Sequence, residues 1–222
     1  MSFILNISGV MKWRMFMEKH LVSNVRVYGL AESIFSSGYP MLTKPVSQQD
    51  FKKAITEINI AIHKKEFDNR HIKRAIKLAT VPIGSGHDNF LNGIIVQFDL
   101  KTTKAWSPEV QRYHFLDFVS SMSMVHCATK VDLENLAVDH ADLGMIDTAK
   151  RYVEAYKEGK IELEVLLDNI PPSINLTARM TTNYRQLRTI YQQRKNHPVK
   201  KWREFCKWIE TLPMAKELIC NV

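Results

Sequence analysis

A short stretch of the chain combines charged, aromatic and hydroxyl side chains with apolar ones: QRYHFLDFVSSMS, residues 111–123. Arg112 carries a planar guanidinium that stays charged and can bind a phosphate through two parallel hydrogen bonds. His114 can gain or lose a proton near neutral pH. Tyr113 and Phe115 offer flat surfaces on which a ring can stack. These residue types predict a site for an anionic ligand that contains an aromatic ring.

Each of these residues also has a purely structural interpretation. Arg112 could form an ion pair with Glu109 one helical turn earlier, and His114 could be a hydrogen-bonded histidine inside the core. Tyr113 and Phe115 could be core aromatics. The serines of the stretch could simply allow close packing of a neighbouring backbone; they are Ser120, Ser121 and Ser123.

A second polar group follows two glycines in the segment GSGHDN. It contains His87 and Asn89 and directly precedes an apolar segment. Turns of this kind expose backbone N–H groups that can bind anions. His87 and Asn89 are therefore candidates for contact with a phosphate-bearing ligand.

Basic residues are concentrated late in the chain. Between Leu176 and Lys207 the only acid is Glu204. The basic residues there are Arg179, Arg185, Arg188, Arg194, Lys195, Lys200, Lys201, Arg203 and Lys207. Such a run is compatible with a solvated helix face, or with a phosphate site on a nucleotide or nucleic-acid backbone.

Two other groups are weaker candidates. Asp139, His140 and Asp142 could suggest a metal ion, but neighbouring residues in one loop rarely converge on one ion. His126 and Cys127 could suggest a nucleophile, but no partner base can be identified in the sequence. We expect neither a metal site nor a catalytic cysteine.

The composition is that of a soluble globular protein of 222 residues, with a net charge of +8. The charge and the pI near 9.3 indicate an anionic partner without identifying it. Three separated cysteines indicate neither a disulfide framework nor a zinc knuckle. No apolar run approaches the ~18 residues of a membrane span. We therefore expect a cytoplasmic protein that does not enter membranes.

The elements that position these residues follow from apolar spacing. An alternating segment from Asn24 predicts a strand, and so does GIIVQFDLK. Ser47 is expected to cap one helix, and a second helix is expected from about Asn69 to Thr80. Ser107, Pro108 and Glu109 are expected to open the helix that carries residues 111–123. Further helices are predicted at 147–158, 161–168, 173–194 and 199–212.

This order, mixed strands and helices followed by helices only, predicts one α+β domain with a small sheet packed against several long helices. We expect an extension at residues 1–23, the domain at 24–215 and a tail at 216–222. We found no internal repeat and no linker.

Taken together, three stretches resemble the flavin-dependent thymidylate synthases, the thymidylate synthase-complementing family. They are GSGHDNFLNGIIVQFDL, EVQRYHFLDFVSSMS and TARMTTNYRQLRTIYQQRKNHPVKKWREFC. The family has a Gly-His-Glu turn before a strand, then Arg-His-Arg followed by seven residues and Ser, then a late Asn-x-Arg-x-Leu segment with a downstream Arg. Here His87, Asn183, Arg185, Leu187 and Arg194 match, and the resemblance spans about residues 24–212.

The central signature departs from the family pattern, and its register is open by one residue. In one register Arg112, Tyr113 and His114 stand for Arg-His-Arg, and the distal Ser becomes Met122. In the other, His114 stays central and Ser123 takes the place of the Ser, but both arginines are lost. Asp88 stands where the family usually has Glu.

The resemblance implies an FAD-mediated methylation of dUMP or a related pyrimidine nucleotide, with methylenetetrahydrofolate and NADPH as co-substrates, in a homotetramer. The flavin carries that chemistry, so the protein supplies binding and orientation. The implied cofactor-binding residues are His87, Asn89, Arg112, Tyr113, His114, Asn183 and Arg185. The implied substrate-binding residues are Glu109, Ser121, Ser123, Arg179 and Arg203.

No catalytic residue is assigned. The alternative is an altered or inactive relative that keeps the fold and binds a nucleotide, or less readily nucleic acid, through its basic helices.

Overall fold

The computed structural model describes residues 20–82 and 85–221, and within them the chain forms one four-stranded antiparallel sheet and eleven α-helices. The strands are β1 (Val22–Tyr28), β2 (Ile95–Thr103), β3 (Asp117–Ser121) and β4 (Asn175–Asn183), in the order β1-β2-β4-β3. The predicted α+β class is confirmed.

The helices differ widely in length. They are α1 (Leu30–Ser36), α2 (Gln48–Lys64), α3 (Arg70–Ala79), α4 (Ser107–Val110), α5 (Met124–Lys130), α6 (Leu133–Leu136), α7 (Leu143–Lys157), α8 (Leu163–Asp168), α9 (Tyr184–Arg194), α10 (Lys200–Ile209) and α11 (Ala215–Leu218). Short 3-10 helices cover Tyr39–Met41 and Asn89–Gly93. No helix of the described residues is long and apolar enough to cross a membrane.

The clearest sequence patterns produced the expected elements. In β2, Val96, Phe98 and Leu100 are fully buried and alternate with partly exposed residues, as a strand with one buried face requires. The Ser47 side chain accepts a hydrogen bond from the Asp50 amide and caps α2. The Asn69 side chain caps α3 in the same way. These strand and helix predictions are confirmed.

The prediction of a helix through residues 111–123 is wrong. Helix α4 stops after a single turn at Val110, and its N-cap is Trp106, whose side chain makes no capping hydrogen bond. Phe115 then adopts a left-handed backbone with φ 62°, which ends any helix. The chain continues as β3, where Phe118 and Val119 favour a strand and every residue but Phe118 is exposed.

The prediction of a helix from 173 to 194 is wrong over its first half, and with it the expectation that only helices follow residue 147. Residues 175–183 form β4, in which Ala178, Met180 and Thr182 are buried at every second position. A period of two is typical of a strand, whereas a helix would bury every third or fourth residue. Helix α9 begins only at Tyr184.

The described residues group into two compact units. Unit 1 consists of residues 20–23, Asp99–Arg112 and Phe118–Arg179. It contains α4 to α8 and an apolar core around Leu133, Ile146 and Leu166. Unit 2 consists of Asn24–Phe98, Tyr113–Asp117 and residues 180–221, and it contains α1 to α3 and α9 to α11.

Candidate functional site

A buried ion pair lies at the centre of the polar residues of unit 2. Asp88 is fully buried, and its Oδ2 accepts a hydrogen bond from Nη1 of Arg188 at 3.1 Å. The Arg188 side chain is 1% exposed, and its Nη2 donates to the Val81 carbonyl at 2.6 Å. Burial lowers the pKa of Arg188, and the Asp88 carboxylate opposes that shift. The pair joins α9 to the turn before β2.

Arg185 extends this pair toward the surface. Its Nε lies 3.4 Å from Oδ1 of Asp88, and its side chain is 31% exposed. Two guanidinium groups therefore share one carboxylate, and the cluster keeps a net positive charge. A partly exposed cation beside a neutralised buried pair can attract an anion such as a phosphate.

Asn183 positions Arg185. It is the last residue of β4 and the N-cap of α9, and its Oδ1 accepts a hydrogen bond from the Gln186 amide at 2.8 Å. The Tyr184 amide donates to the Ile94 carbonyl at 3.0 Å, which fixes the start of α9 beside the chain entering β2. The Asn183 oxygen is thus engaged in capping the helix.

His87 and Asn89 flank the buried Asp88 and are both exposed. The turn is held by the Leu91 amide, which donates to the Asp88 carbonyl at 3.0 Å. Because Asp88 anchors the turn to α9, its two exposed neighbours are held at fixed positions on the same unit as Arg185.

A second polar cluster, the Arg194 cluster, lies at the end of α9. The Tyr113 hydroxyl accepts from Nε of Arg194 at 2.6 Å and donates to Oε1 of Gln193 at 3.0 Å. The Arg194 guanidinium lies over the Trp202 ring, 4.7 Å from its centroid. Nη1 of Arg194 is also 2.7 Å from Nε2 of His197. Tyr113 is therefore held by protein groups on its hydroxyl edge.

Arg203 closes the loop between α9 and α10. Its Nη1 donates to the carbonyls of His197 and Pro198 at 2.6 and 2.7 Å. These bonds satisfy backbone acceptors of the loop, which is a structural role. The predicted substrate contact of Arg203 would have to use its remaining donors.

His114 and Phe115 follow Tyr113 and are both exposed. They lie in unit 2, on the turn between α4 and β3 rather than on the expected helix. Their exposure removes the alternative in which they belong to the core.

The remaining predicted site residues lie in unit 1. Arg112 and Ser121 are exposed, and Glu109 is half-buried in α4. Oγ of Ser123 accepts a hydrogen bond from the His126 amide and caps α5. Arg179 donates to Oδ1 of Asp99 at 3.1 Å, a contact between adjacent strands. Ser123 therefore has a structural role as a helix cap, and Arg179 has one as the partner of Asp99.

The two weaker candidates have structural explanations. Asp142 caps α7 by accepting from the Met145 amide, and the described residues contain no group of three or more potential ligands that could hold a metal ion. Cys127 is buried, and burial raises the pKa of its thiol, which disfavours a nucleophilic thiolate.

The pairing of Asp88 with Arg188 and that of Tyr113 with Arg194 are not among the contacts predicted from the sequence. A signal for the first existed. Arg188 falls on the stripe formed by Tyr184, Leu187 and Ile190, which is buried at helical spacing. A lone arginine on a buried stripe requires an acid partner inside the protein, and Asp88 is the buried acid of unit 2.

The fold has known counterparts among solved structures. The structure of the flavin-dependent thymidylate synthase ThyX from Helicobacter pylori complexed with FAD and dUMP has a TM-score of 0.55 at 15% identity, covering 73% of this chain and 91% of that one. A second ThyX structure from the same organism, also with FAD and dUMP, has a TM-score of 0.54 at 16% identity, covering 72% and 88%.

At these identities the likeness shows the fold alone. No family model matches the sequence, and no curated protein matches it.

Proposed function

We propose that the protein is an FAD-dependent enzyme similar to the flavin-dependent thymidylate synthases, which methylates dUMP or a related pyrimidine nucleotide. The observation that carries the proposal is the net positive Asp88–Arg185–Arg188 cluster on a fold shared with two proteins crystallised with FAD and dUMP. We expect methylenetetrahydrofolate and NADPH to be the co-substrates, and we expect a homotetramer.

The residues present fit the phosphate-bearing part of a dinucleotide. Arg185 offers a partly exposed guanidinium whose charge is not cancelled, because the single carboxylate it contacts is also shared with Arg188. His87 and Asn89 offer further exposed donors on the anchored turn. The bound flavin would supply the redox chemistry. The protein groups would bind the phosphates, orient the rings and exclude water.

The decisive measurement is the visible absorption of the purified protein before and after gel filtration, with and without added FAD. A retained flavin band at about 450 nm supports the proposal. Arg185→Ala should weaken FAD retention about tenfold or more, because a charged hydrogen bond contributes about 1.5–3 kcal/mol. Arg151→Ala is the matched control, since it removes the same charge from an exposed helix position in unit 1.

Retained flavin would justify the activity assay. Transfer of a one-carbon unit to dUMP would then be followed with methylenetetrahydrofolate and NADPH, and light scattering would give the assembly size. A colourless protein that returns all added FAD contradicts the proposal.

A second candidate is a relative without this activity that binds nucleic acid through its basic helices. Its supporting observation is that unit 2 has 19 lysines and arginines against 10 aspartates and glutamates. Anisotropy of a labelled oligonucleotide at about 50 and 200 mM salt tests it, since phosphate contacts weaken steeply with salt. Tight, salt-sensitive binding together with no flavin retention would favour this function.

A further inference from the structure

Phe115 combines two properties that seldom occur together. The residue is 66% exposed, and its backbone is left-handed with φ 62°. For a residue with a Cβ the left-handed region costs about 1–2 kcal/mol. Backbone strain at a bulky residue indicates a function when the surrounding structure holds the residue in place.

The surroundings hold Phe115 from both sides. Tyr113 is fixed by its hydrogen bonds to Arg194 and Gln193, and its ring packs edge-on against Trp202 at 5.5 Å. Leu116 is 2% exposed, and its amide donates to the Tyr113 carbonyl at 3.3 Å. The exposed ring is thus presented from a rigid turn rather than from a loose loop.

The chemistry around Phe115 suits one ring rather than a protein surface. Its exposed neighbours His114 and Asp117 are polar, and Leu116 is turned into the interior. A partner protein would need a broader apolar patch. A single flat side chain between polar groups instead suits stacking of a planar heteroaromatic ring, with the polar groups available to the edges of that ring.

We infer that Phe115 is a stacking platform for the planar ring of the bound ligand, either the isoalloxazine of a flavin or the pyrimidine base of a nucleotide. The inference rests on the proposed function and makes Phe115 a determinant of which ring is bound. It also gives a reason for the strain, because the left-handed turn is what projects the ring outward.

The test uses glycine at position 115, because glycine adopts this backbone without steric strain. Phe115→Gly should weaken binding of the stacked ligand, FAD or dUMP, by about tenfold or more, as expected for loss of one stacking contact. The same variant should unfold about 2–4 °C higher than the wild type, since strain is relieved. Phe115→Trp should keep the affinity. Binding of inorganic phosphate should not change in any of these variants.

Lys65→Gly is the matched control. Lys65 is exposed, lies in the same unit and has φ 58°, so its replacement relieves similar strain and removes no ring. It should raise the unfolding temperature and leave ligand binding unchanged. The ligand, FAD or dUMP, whose affinity falls in Phe115→Gly is the one whose ring is stacked on Phe115.

Two results overturn the inference alone. One is a Phe115→Gly variant that binds both ligands as the wild type does. The other is a Phe115→Gly variant whose assembly size by light scattering differs from that of the wild type. Such a difference would mean that Phe115 covers an interface between copies. A wild-type protein that binds neither FAD nor dUMP overturns the proposed function, and the inference with it.

Discussion

The interiors of the two units differ in the polar side chains they bury. In unit 1, the described residues that are buried and polar are Thr102 and Thr103, and the core around α5 to α8 is apolar. In unit 2, the interior also contains Asp88, Arg188 and His71. Burying a charge costs free energy unless it is paired, so unit 2 depends on specific partners where unit 1 depends on packing.

The surfaces differ in the same sense. The described part of unit 1 has 9 lysines and arginines against 12 aspartates and glutamates, whereas unit 2 has 19 against 10. Among the described residues, the positive excess therefore lies in unit 2, where the buried ion pair, the Arg194 cluster and Phe115 also lie. The proposed function requires an anionic ligand, and this difference is the reason for placing its site on unit 2.

Removal of the buried carboxylate of Asp88 should have the largest effect on stability. Asp88→Asn leaves the Arg188 guanidinium buried without its counter-charge, and we expect a loss of about 3–5 kcal/mol in the free energy of unfolding. The matched change in unit 1 is Asp99→Asn. Its partner Arg179 is at the same distance of 3.1 Å but is partly exposed. It should cost about 1 kcal/mol or less. Urea unfolding measures both.

Equal losses in these two variants would mean that the two units do not differ in this way. The double variant Asp88→Leu with Arg188→Met sharpens the test. Replacing both charges by apolar groups should recover most of the stability lost by Asp88→Asn.

Removal of the Tyr113 hydroxyl should have an intermediate effect. Tyr113→Phe deletes the acceptor of the 2.6 Å bond from Arg194, and a hydrogen bond to a charged group contributes about 1.5–3 kcal/mol. We expect the free energy of unfolding to fall by an amount near the lower end of this range, because the Trp202 ring still covers the Arg194 guanidinium. Tyr156→Phe in unit 1, where the ring packs against the apolar core, should change the urea midpoint little. A larger effect at Tyr156 would contradict the comparison.

Helix caps give a smaller effect and one that should be similar in both units. Asn183→Ala removes the cap of α9 and Asp142→Ala removes that of α7. Each should cost about 0.5–2 kcal/mol of unfolding free energy by thermal or urea unfolding. Asn183→Ser keeps an acceptor oxygen and should recover much of the loss. A negligible cost for Asn183→Ala would argue that the β4–α9 junction is held by other contacts.

The pH dependence should show the smallest effect. Burial lowers the pKa of His71, and the cations of Arg74 and Arg70 lower it further, whereas Glu57 opposes them. The unfolded chain then binds a proton at His71 more readily than the folded protein does. Stability should therefore fall as the pH drops below about 6.5, the ordinary histidine value.

His71→Gln should make the urea midpoint less sensitive to acid between about pH 7.5 and 5.5. His140→Gln in unit 1, where the ring is exposed, should leave that sensitivity unchanged. An unaltered acid response in His71→Gln would remove His71 as its source.

The sequence predicted the elements whose signals are local. The caps at Ser47 and Asn69 and the alternation in β2 are all contained within a few residues, and each prediction is confirmed. The sequence predicts helices where β3 and β4 are found, because the apolar residues of these strands also fit a helical spacing. These segments form strands because they pair with strands that are distant in the sequence, and no local pattern shows that pairing.

In the candidate site, too, single residues can be predicted from the sequence, but the contacts between distant residues cannot. The basic and amide side chains of α9 stand out in the sequence, and the structure does place Arg185 where a ligand could reach it. The contacts that organise the site join Arg188 to Asp88 and Arg194 to Tyr113, across 100 and 81 residues respectively. Only the folded chain reveals which charges are neutralised and which remain available.

The direct junction of β4 and α9 determines where the chain can be altered. Asn183 is at once the last strand residue and the helix cap, so the two elements share a residue and no loop lies between them. A single inserted residue at this point would rotate α9 by about 100°, since a helix has 3.6 residues per turn. Affinity tags, fluorophores or peptide insertions belong elsewhere, for example after the exposed Lys160 between α7 and α8, with Gly159 itself kept because its φ is 70°.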